Sequence, residues 1–169
     1  MKSLYITRHA KSSWKDAGLS DEDRPLNARG KHDAPAMGKR LRKMGVEPEI
    51  IFSSPATRAV TTATLLAEKL HFPSEEIVTE DDIYEAGTTE LLTVLRRIDD
   101  RFTHVMLIGH NPGLTMLANR LSPARIDNIP TCGVVGLKLH IDSWNALSDQ
   151  CGEVSFFVSP KIADNPITT

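Results

Sequence analysis

Two arginines and two histidines in this chain stand where their side chains could handle a phosphoryl group. Arg8 and His9 follow the first apolar run, and Arg58 and His110 each come shortly after a later strand-like run. An imidazole can serve as a nucleophile, and a planar guanidinium group can hold a phosphate with several donors. Because ligands of open α/β sheets bind outside the carboxyl ends of the strands, these positions indicate an anion site.

The segments that carry these residues share one layout, in which a short strand is followed by a polar group and then by the start of a helix. They are residues 4–9, 50–58 and 105–112. If the three strands are neighbours and run parallel, the four side chains meet at one edge of the sheet. Helix N-termini at that edge would add backbone donors for an anion.

Strand-like and helix-like segments alternate along the chain, which predicts an α/β fold of three layers, with a mostly parallel central sheet between helices. One domain, residues 1–169, is expected. Strands are predicted at residues 2–7, 50–52, 77–78, 104–109, 134–139 and 154–158. Four helices are predicted, of which the first covers residues 27–43 and the last covers residues 112–121. The second follows Ser54 as N-cap and Pro55 as first helical residue, and the third runs from Thr88 as cap to Ile98. Residues 81–87 are predicted to be a loop.

Composition and charge exclude several classes of partner. A net charge of −2 gives no general attraction to nucleic acid or to an anionic membrane, and no segment has the length of a membrane span. Two cysteines, Cys132 and Cys151, make no disulfide framework, so we expect a cytoplasmic protein. The six histidines show no zinc-type spacing with these cysteines, and no dinucleotide or P-loop motif is present, so no metal or cofactor is expected.

Several motifs, taken together, resemble those of a known family. Thr7-Arg8-His9-Ala10 resembles the Arg-His-Gly signature of the histidine phosphatase superfamily, which has the phosphoglycerate-mutase-like fold. The segment 53–59 resembles the Ser-Pro-x-x-Arg-Ala segment of that family, and Gly109-His110-Asn111 resembles its second-histidine segment. The short length and the segments 23–30 and 83–86 look most similar to the small SixA-type phosphohistidine phosphatases.

This resemblance implies a role for each motif residue. His9 would be the nucleophile and become phosphorylated, Arg8 and Arg58 would bind the phosphoryl oxygens, and His110 would donate to the same oxygens in the transition state. A neutral imidazole nitrogen must face phosphorus, so the other ring N–H of His9 should be held by a backbone carbonyl. Neighbouring cations should keep His9 unprotonated, and arginines can supply the positive charge without a metal.

The general acid is the role that the motifs assign least directly. Glu85 matches the position of the acid of the superfamily best, and Glu80 and Asp82 are alternatives. An alkoxide leaving group needs a proton, whereas the imidazole of phosphohistidine depends less on an acid. We therefore expect Glu85 to assist without being essential for a phosphohistidine substrate.

Departures from the superfamily pattern bear on the substrate. Ala10 stands in place of the usual glycine, and the long insertions of the mutases are absent, which predicts an open, shallow site. Lys11 and Arg24 could add a positive rim that binds substrate. These features favour phosphohistidine on a protein as the substrate. A phosphatase of small metabolite esters and a non-catalytic phosphate-binding protein are the alternatives.

Overall fold

The computed structural model describes residues 1–165, so residues 166–169 of the predicted domain lie outside the described part. Within it the chain forms seven strands and four α-helices. The strands are β1 (Lys2–Arg8), β2 (Ile50–Ser53), β3 (Val78–Thr79), β4 (His104–Gly109), β5 (Val134–Leu139), β6 (Gly152–Ser159) and β7 (Ile162–Asn165). The helices are α1 (Ala28–Lys43), α2 (Thr57–Lys69), α3 (Thr88–Arg96) and α4 (Gly113–Leu121).

All seven strands join one sheet in the order β3-β2-β4-β1-β5-β6-β7. The four strands from β3 to β1 pair in parallel, and β5, β6 and β7 extend the sheet by antiparallel pairing. Because β6 again runs in the direction of β1, five of the seven strands share one direction. The α/β fold is confirmed, and the three strands that carry the predicted site are parallel neighbours.

Apolar side chains cover both faces of the sheet, which places helices on each side. On β1, Leu4 and Ile6 point into a core shared with the leucines of α3 and α4, whereas Tyr5 points into a second core packed by α1 and α2. Alternation along a strand produces this division, since successive side chains face opposite sides. The strand that ends at Arg8 is therefore fixed from both faces.

The starts of two helices differ from the prediction. Ser54 does not cap α2, which begins at Thr57 after Ala56 and has no side-chain cap. The Ser54 hydroxyl instead accepts from the Ala56 N–H at 3.2 Å, at the edge of the sheet where the anion site is predicted. Thr88 does not cap α3, because Gly87 holds the N-cap position and Glu90 accepts its N–H at 3.1 Å.

Two further features complete the fold. Within the predicted loop 81–87, residues 81–83 form a short 3₁₀ turn. No helix within residues 1–165 is both long enough and apolar enough to cross a membrane.

Candidate active site

Strand register brings the two histidines together. In the parallel pair of β1 and β4, Arg8 lies opposite Gly109, so the next residues, His9 and His110, leave neighbouring strands at the same level. Their ring centroids are 5.1 Å apart. β2 lies on the other side of β4, and α2 follows it with Arg58 in the first turn. The order β2-β4-β1 thus gathers all four predicted side chains at the carboxyl edge of the sheet.

A cavity of about 190 Å³ opens at this edge. Four of its lining side chains are cationic and none is a carboxylate, so its inner surface suits an anion. It is lined by Arg8, His9, Lys11, Ser12, Trp14, Arg24, Arg58, His110, Asn111 and Thr131.

The backbone around His9 fixes the position and the tautomer of its ring. Nδ1 lies 2.7 Å from the carbonyl oxygen of Ala10. A carbonyl can only accept, so Nδ1 carries the proton and Nε2 keeps a free lone pair. The Ala10 N–H donates to the hydroxyl of Thr62 on α2 at 2.9 Å. The Cys132 N–H donates to the carbonyl oxygens of Arg8 and His9 at 3.1 and 3.0 Å, so α2 and the segment at Cys132 both hold this turn in place.

Both histidines are held neutral. Burial, together with the charges of Arg58 and Arg8, lowers the pKa of His9 to about 4 against the opposing effect of the bond to the Ala10 carbonyl. Burial also lowers the pKa of His110 to about 3, with His9 and Arg58 contributing. A neutral His9 has a nucleophilic nitrogen across the whole physiological range of pH.

The ring of His110 is oriented by two neighbours. Its Nε2 lies 2.7 Å from the Ser54 hydroxyl, which is itself buried at the end of β2. The ring of Tyr84 meets the His110 ring edge-on, with centroids 5.6 Å apart. Nδ1 of His110 is buried and has no hydrogen-bond partner among the described residues.

Arg58 is tied to an acidic residue from the loop between β1 and α1. Its Nη1 donates to the backbone oxygen of Asp21 at 2.6 Å, and its Nη2 donates to Asp21 Oδ2 at 2.9 Å. The hydroxyl of Tyr84 donates to the same carboxylate oxygen at 2.6 Å. The pKa of Asp21 is lowered to about 2, chiefly by the bond from Tyr84, and the same bond raises the pKa of Tyr84 to about 12.

Arg24 joins the same network from a second direction. Its Nε donates to Asp21 Oδ1 at 3.1 Å, and its Nη1 donates to the Ser12 hydroxyl at 3.0 Å. Its guanidinium carbon lies 3.4 Å from the centroid of the exposed Trp14 ring. Arg24 is 7% exposed, so the carboxylate, the hydroxyl and the indole fix a cation at the cavity wall.

Arg8 reaches the cavity from the end of β1 and is held by one backbone contact. Its Nη1 donates to the carbonyl oxygen of Ile129 at 3.0 Å. Nε of Arg8 and Nε of Arg58 are buried without a hydrogen-bond partner among the described residues. Two guanidinium groups with unused donors therefore border the neutral His9 ring.

The three candidate acids lie away from the cavity lining. Glu85 is exposed, has a left-handed backbone with φ of 55°, and follows the Tyr84 that bonds Asp21. Asp82 is exposed and forms an ion pair with Arg97 at 3.4 Å. Glu80 is half-buried at the start of the 3₁₀ turn. None of the three is among the residues that border the cavity.

Among the substrate-binding predictions, Lys11 and Arg24 both border the cavity. The prediction did not include Asp21 or Tyr84, and it placed Ser54 in a helix cap rather than against His110. A signal existed for Ser54, because it follows a strand at the same level as the other site residues. No spacing pattern linked residue 21 to residue 58. In residues 1–165, no group of three or more His, Cys, Asp or Glu residues is placed to hold a metal ion.

Comparison with known proteins identifies one family. A family model described as the histidine phosphatase superfamily (branch 1) matches residues 4–106, more than half of the chain. A chloroplastic protein of Arabidopsis thaliana, itself uncharacterised, is 32% identical over 151 residues, covering 85% of this chain and 69% of the relative.

Solved structures share the whole fold. A candidate phosphohistidine phosphatase SixA from Agrobacterium tumefaciens is 27% identical, with a TM-score of 0.78 over 94% of this chain and 98% of that chain. A candidate SixA from Nakamurella multipartitia is 19% identical, and its TM-score of 0.80 over 95% of this chain and 97% of that chain shows the same fold.

Proposed function

Because this chain belongs to the histidine phosphatase superfamily, we propose that it removes phosphate from phosphohistidine on proteins, through a covalent phosphate on His9. The name of the Agrobacterium tumefaciens structure supports this class of substrate. The expected partner is a phosphorylated protein. The cytoplasm stays the expected location from the cysteine content, although the Arabidopsis thaliana relative is named chloroplastic.

The observation that carries the substrate class is the absence of a carboxyl group from the described lining of the cavity. Hydrolysis of an ester expels an alkoxide, which needs a proton from a nearby acid in the transition state. The imidazole of phosphohistidine can take a proton from solvent on its other ring nitrogen, and it then leaves as a neutral imidazole without help from an acid of the protein. Asp21 is the carboxyl group bonded to the cavity arginines, but with a pKa of about 2 it has no proton to give at neutral pH.

The first step forms a bond from Nε2 of His9 to phosphorus and breaks the bond from phosphorus to the imidazole nitrogen of the substrate. The leaving imidazole takes its proton from solvent. Throughout, Nδ1–H of His9 stays on the Ala10 carbonyl. The phosphorylated ring therefore keeps a proton, which makes it a good leaving group for the second step. Water then attacks phosphorus, releases inorganic phosphate, and returns His9 to its starting form.

Positive charge for both steps comes from side chains. Arg8 and Arg58 lie beside His9, and their planar donors match the equatorial oxygens of a phosphoryl group in transit. Neutral His110, whose ring centroid lies 5.1 Å from that of His9, can donate one hydrogen bond to the same oxygens. Fixed donors of this kind lower the barrier because they need no reorganisation during the reaction. We propose on this ground that the reaction needs no metal.

The test is to trap the enzyme with phosphoramidate as phosphoryl donor and to locate the label by mass spectrometry under neutral or basic conditions. We expect an acid-labile, base-stable phosphate on His9, and none in His9→Ala. We also expect kcat/KM for a phosphohistidine peptide to exceed that for phenyl phosphate by at least tenfold. Label on another residue would overturn the mechanism, and a higher value for the ester would favour a phosphatase of small metabolites.

A further inference from the structure

A groove continues from the cavity along the surface of the protein. Its volume is about 360 Å³, and two residues, Lys11 and Thr131, line both the groove and the cavity. Its lining consists of Lys11, Arg29, Pro130, Thr131, Ser159, Pro160 and Lys161. A chain that places a side chain in the cavity can therefore lie in the groove without leaving the surface.

The charge of this groove has one sign. Lys11, Arg29 and Lys161 are exposed cations, and no acidic side chain is among the described residues that line it. Arg29 forms an ion pair with Asp33 at 3.4 Å, and its side chain is 48% exposed. Lys11 and Lys161 form no ion pair with any described residue. The groove is therefore positively charged, although the protein as a whole carries a net charge of −2.

The remaining walls of the groove suit a polypeptide backbone. Pro130 and Pro160 present rigid apolar rings, against which the side chains of an extended segment can pack. Apolar walls and flanking cations match a protein segment better than a free metabolite.

We propose that this groove binds an acidic segment of the phosphoprotein next to its phosphorylated histidine. This inference rests on the proposed function, because the phosphohistidine must occupy the cavity. An extended chain advances about 3.3 Å per residue, so acidic side chains within about four residues of the histidine can reach the three cations. The groove then selects among phosphohistidine proteins by charge, independently of the chemistry at His9.

The test compares two phosphohistidine peptides of equal length, one with Asp and Glu on both sides of the histidine and one with Asn and Gln at the same positions. We expect the wild-type KM to be lower for the acidic peptide. In the double variant Arg29→Glu, Lys161→Glu we expect the KM for the acidic peptide to rise about three- to tenfold, the amount expected from two exposed ion pairs. Neither substituted residue lines the phosphoryl cavity, so turnover of phosphoramidate should stay within about twofold.

Lys39→Glu is the matched control, because Lys39 is exposed on the same helix as Arg29 and lies about 15 Å further along its axis. It should leave both KM values unchanged. If wild type shows no preference for the acidic peptide, or if Lys39→Glu has the same effect as the groove variant, the groove is not the binding site. If wild type hydrolyses neither phosphoramidate nor either peptide, the proposed function itself fails.

Discussion

Arg58 has five N–H donors, and Asp21 occupies two of them. The other three have no partner among the described residues, and in the proposed mechanism they are available to a phosphoryl group. Asp21 therefore holds one edge of the guanidinium while the opposite edge is free, and it does so from a loop that Tyr84 ties down. Under the proposed mechanism Asp21 is a positioning residue, since it would act on substrate through Arg58.

We predict that Asp21→Asn lowers kcat by about tenfold and changes the KM for phosphoramidate much less. The amide keeps the size of the carboxylate but loses the charge-assisted bonds to Arg58 and Arg24, so the guanidinium groups become less well oriented. Steady-state kinetics that separate kcat from KM test this. Tyr84→Phe, which removes only the bond to Asp21, should give a smaller decrease of the same kind.

A merely structural role for Asp21 would have a different result. Both variants would then lose thermal stability together with activity, and added salt or lower temperature would restore the activity. An unchanged kcat in Asp21→Asn would show that Arg58 is positioned without its help.

At this scale the sequence predicted residues that follow strands and missed residues that reach in from loops. Arg8, His9 and His110 could be predicted because the end of a strand fixes where they point. Asp21 could not, because the path of residues 12–27 depends on tertiary contacts such as that of Arg24 with Trp14. Its contact with Arg58 spans 37 positions and leaves no local pattern.

The elements hold the site through close backbone packing at a few glycines. Gly30 lies in the first turn of α1 against the backbone of Lys11, and a Cβ at this position would overlap the Lys11 carbonyl oxygen. Asn27 caps the same helix by accepting the Gly30 N–H at 2.9 Å. The start of α1 is therefore packed directly on the segment that follows His9.

We predict that Gly30→Ala destabilises the protein by about 2–3 kcal/mol and lowers activity, because backbone atoms must move to make room for the methyl group. Urea denaturation and phosphoramidate turnover measure the two effects. Gly18→Ala is the control, since its Cβ would meet only the flexible carboxylate of Asp16 at 3.2 Å. Equal stability of the two variants would show that the contact between α1 and Lys11 can accommodate a methyl group.

Element boundaries were predicted well where composition changes sharply, as at β4 and α4. Ser54 was assigned to a helix cap because Ser-Pro is common at helix starts. In the structure α2 begins two residues after Pro55, and this delay frees the Ser54 hydroxyl for His110. β6 and β7 each pair antiparallel with the preceding strand, whereas β5 pairs antiparallel with the distant β1, and the apolar pattern alone specifies none of these directions.

The whole molecule should lose stability in mild acid because of its two buried histidines. Their pKa values of about 4 and about 3 lie below the ordinary 6.5, so the folded state keeps both rings neutral while the unfolded state binds protons. The free energy of unfolding is therefore highest above pH 6.5, and it decreases as the pH falls toward the pKa values of the folded state. Each histidine should cost roughly 2 kcal/mol of unfolding free energy between pH 7 and pH 5.

Urea denaturation of wild type and His110→Gln at pH 7, 6 and 5 measures this dependence. All other titrating groups are shared, so the difference between the two proteins isolates His110. We expect the wild type to lose about 2 kcal/mol more than the variant over this range. Parallel curves would mean that His110 titrates alike in the folded and unfolded states.

The strand order has a consequence for the growing chain on the ribosome. β4 lies between β1 and β2 in the sheet, although it is translated after both. A nascent chain that ends before residue 104 already contains Arg8, His9 and Arg58 but has no strand to bring them together. The proposed phosphate site is complete only after His110 has emerged, and β1 keeps an unpaired edge until β5 follows. If the proposed function holds, N-terminal fragments that lack β4 should therefore be inert toward phosphohistidine.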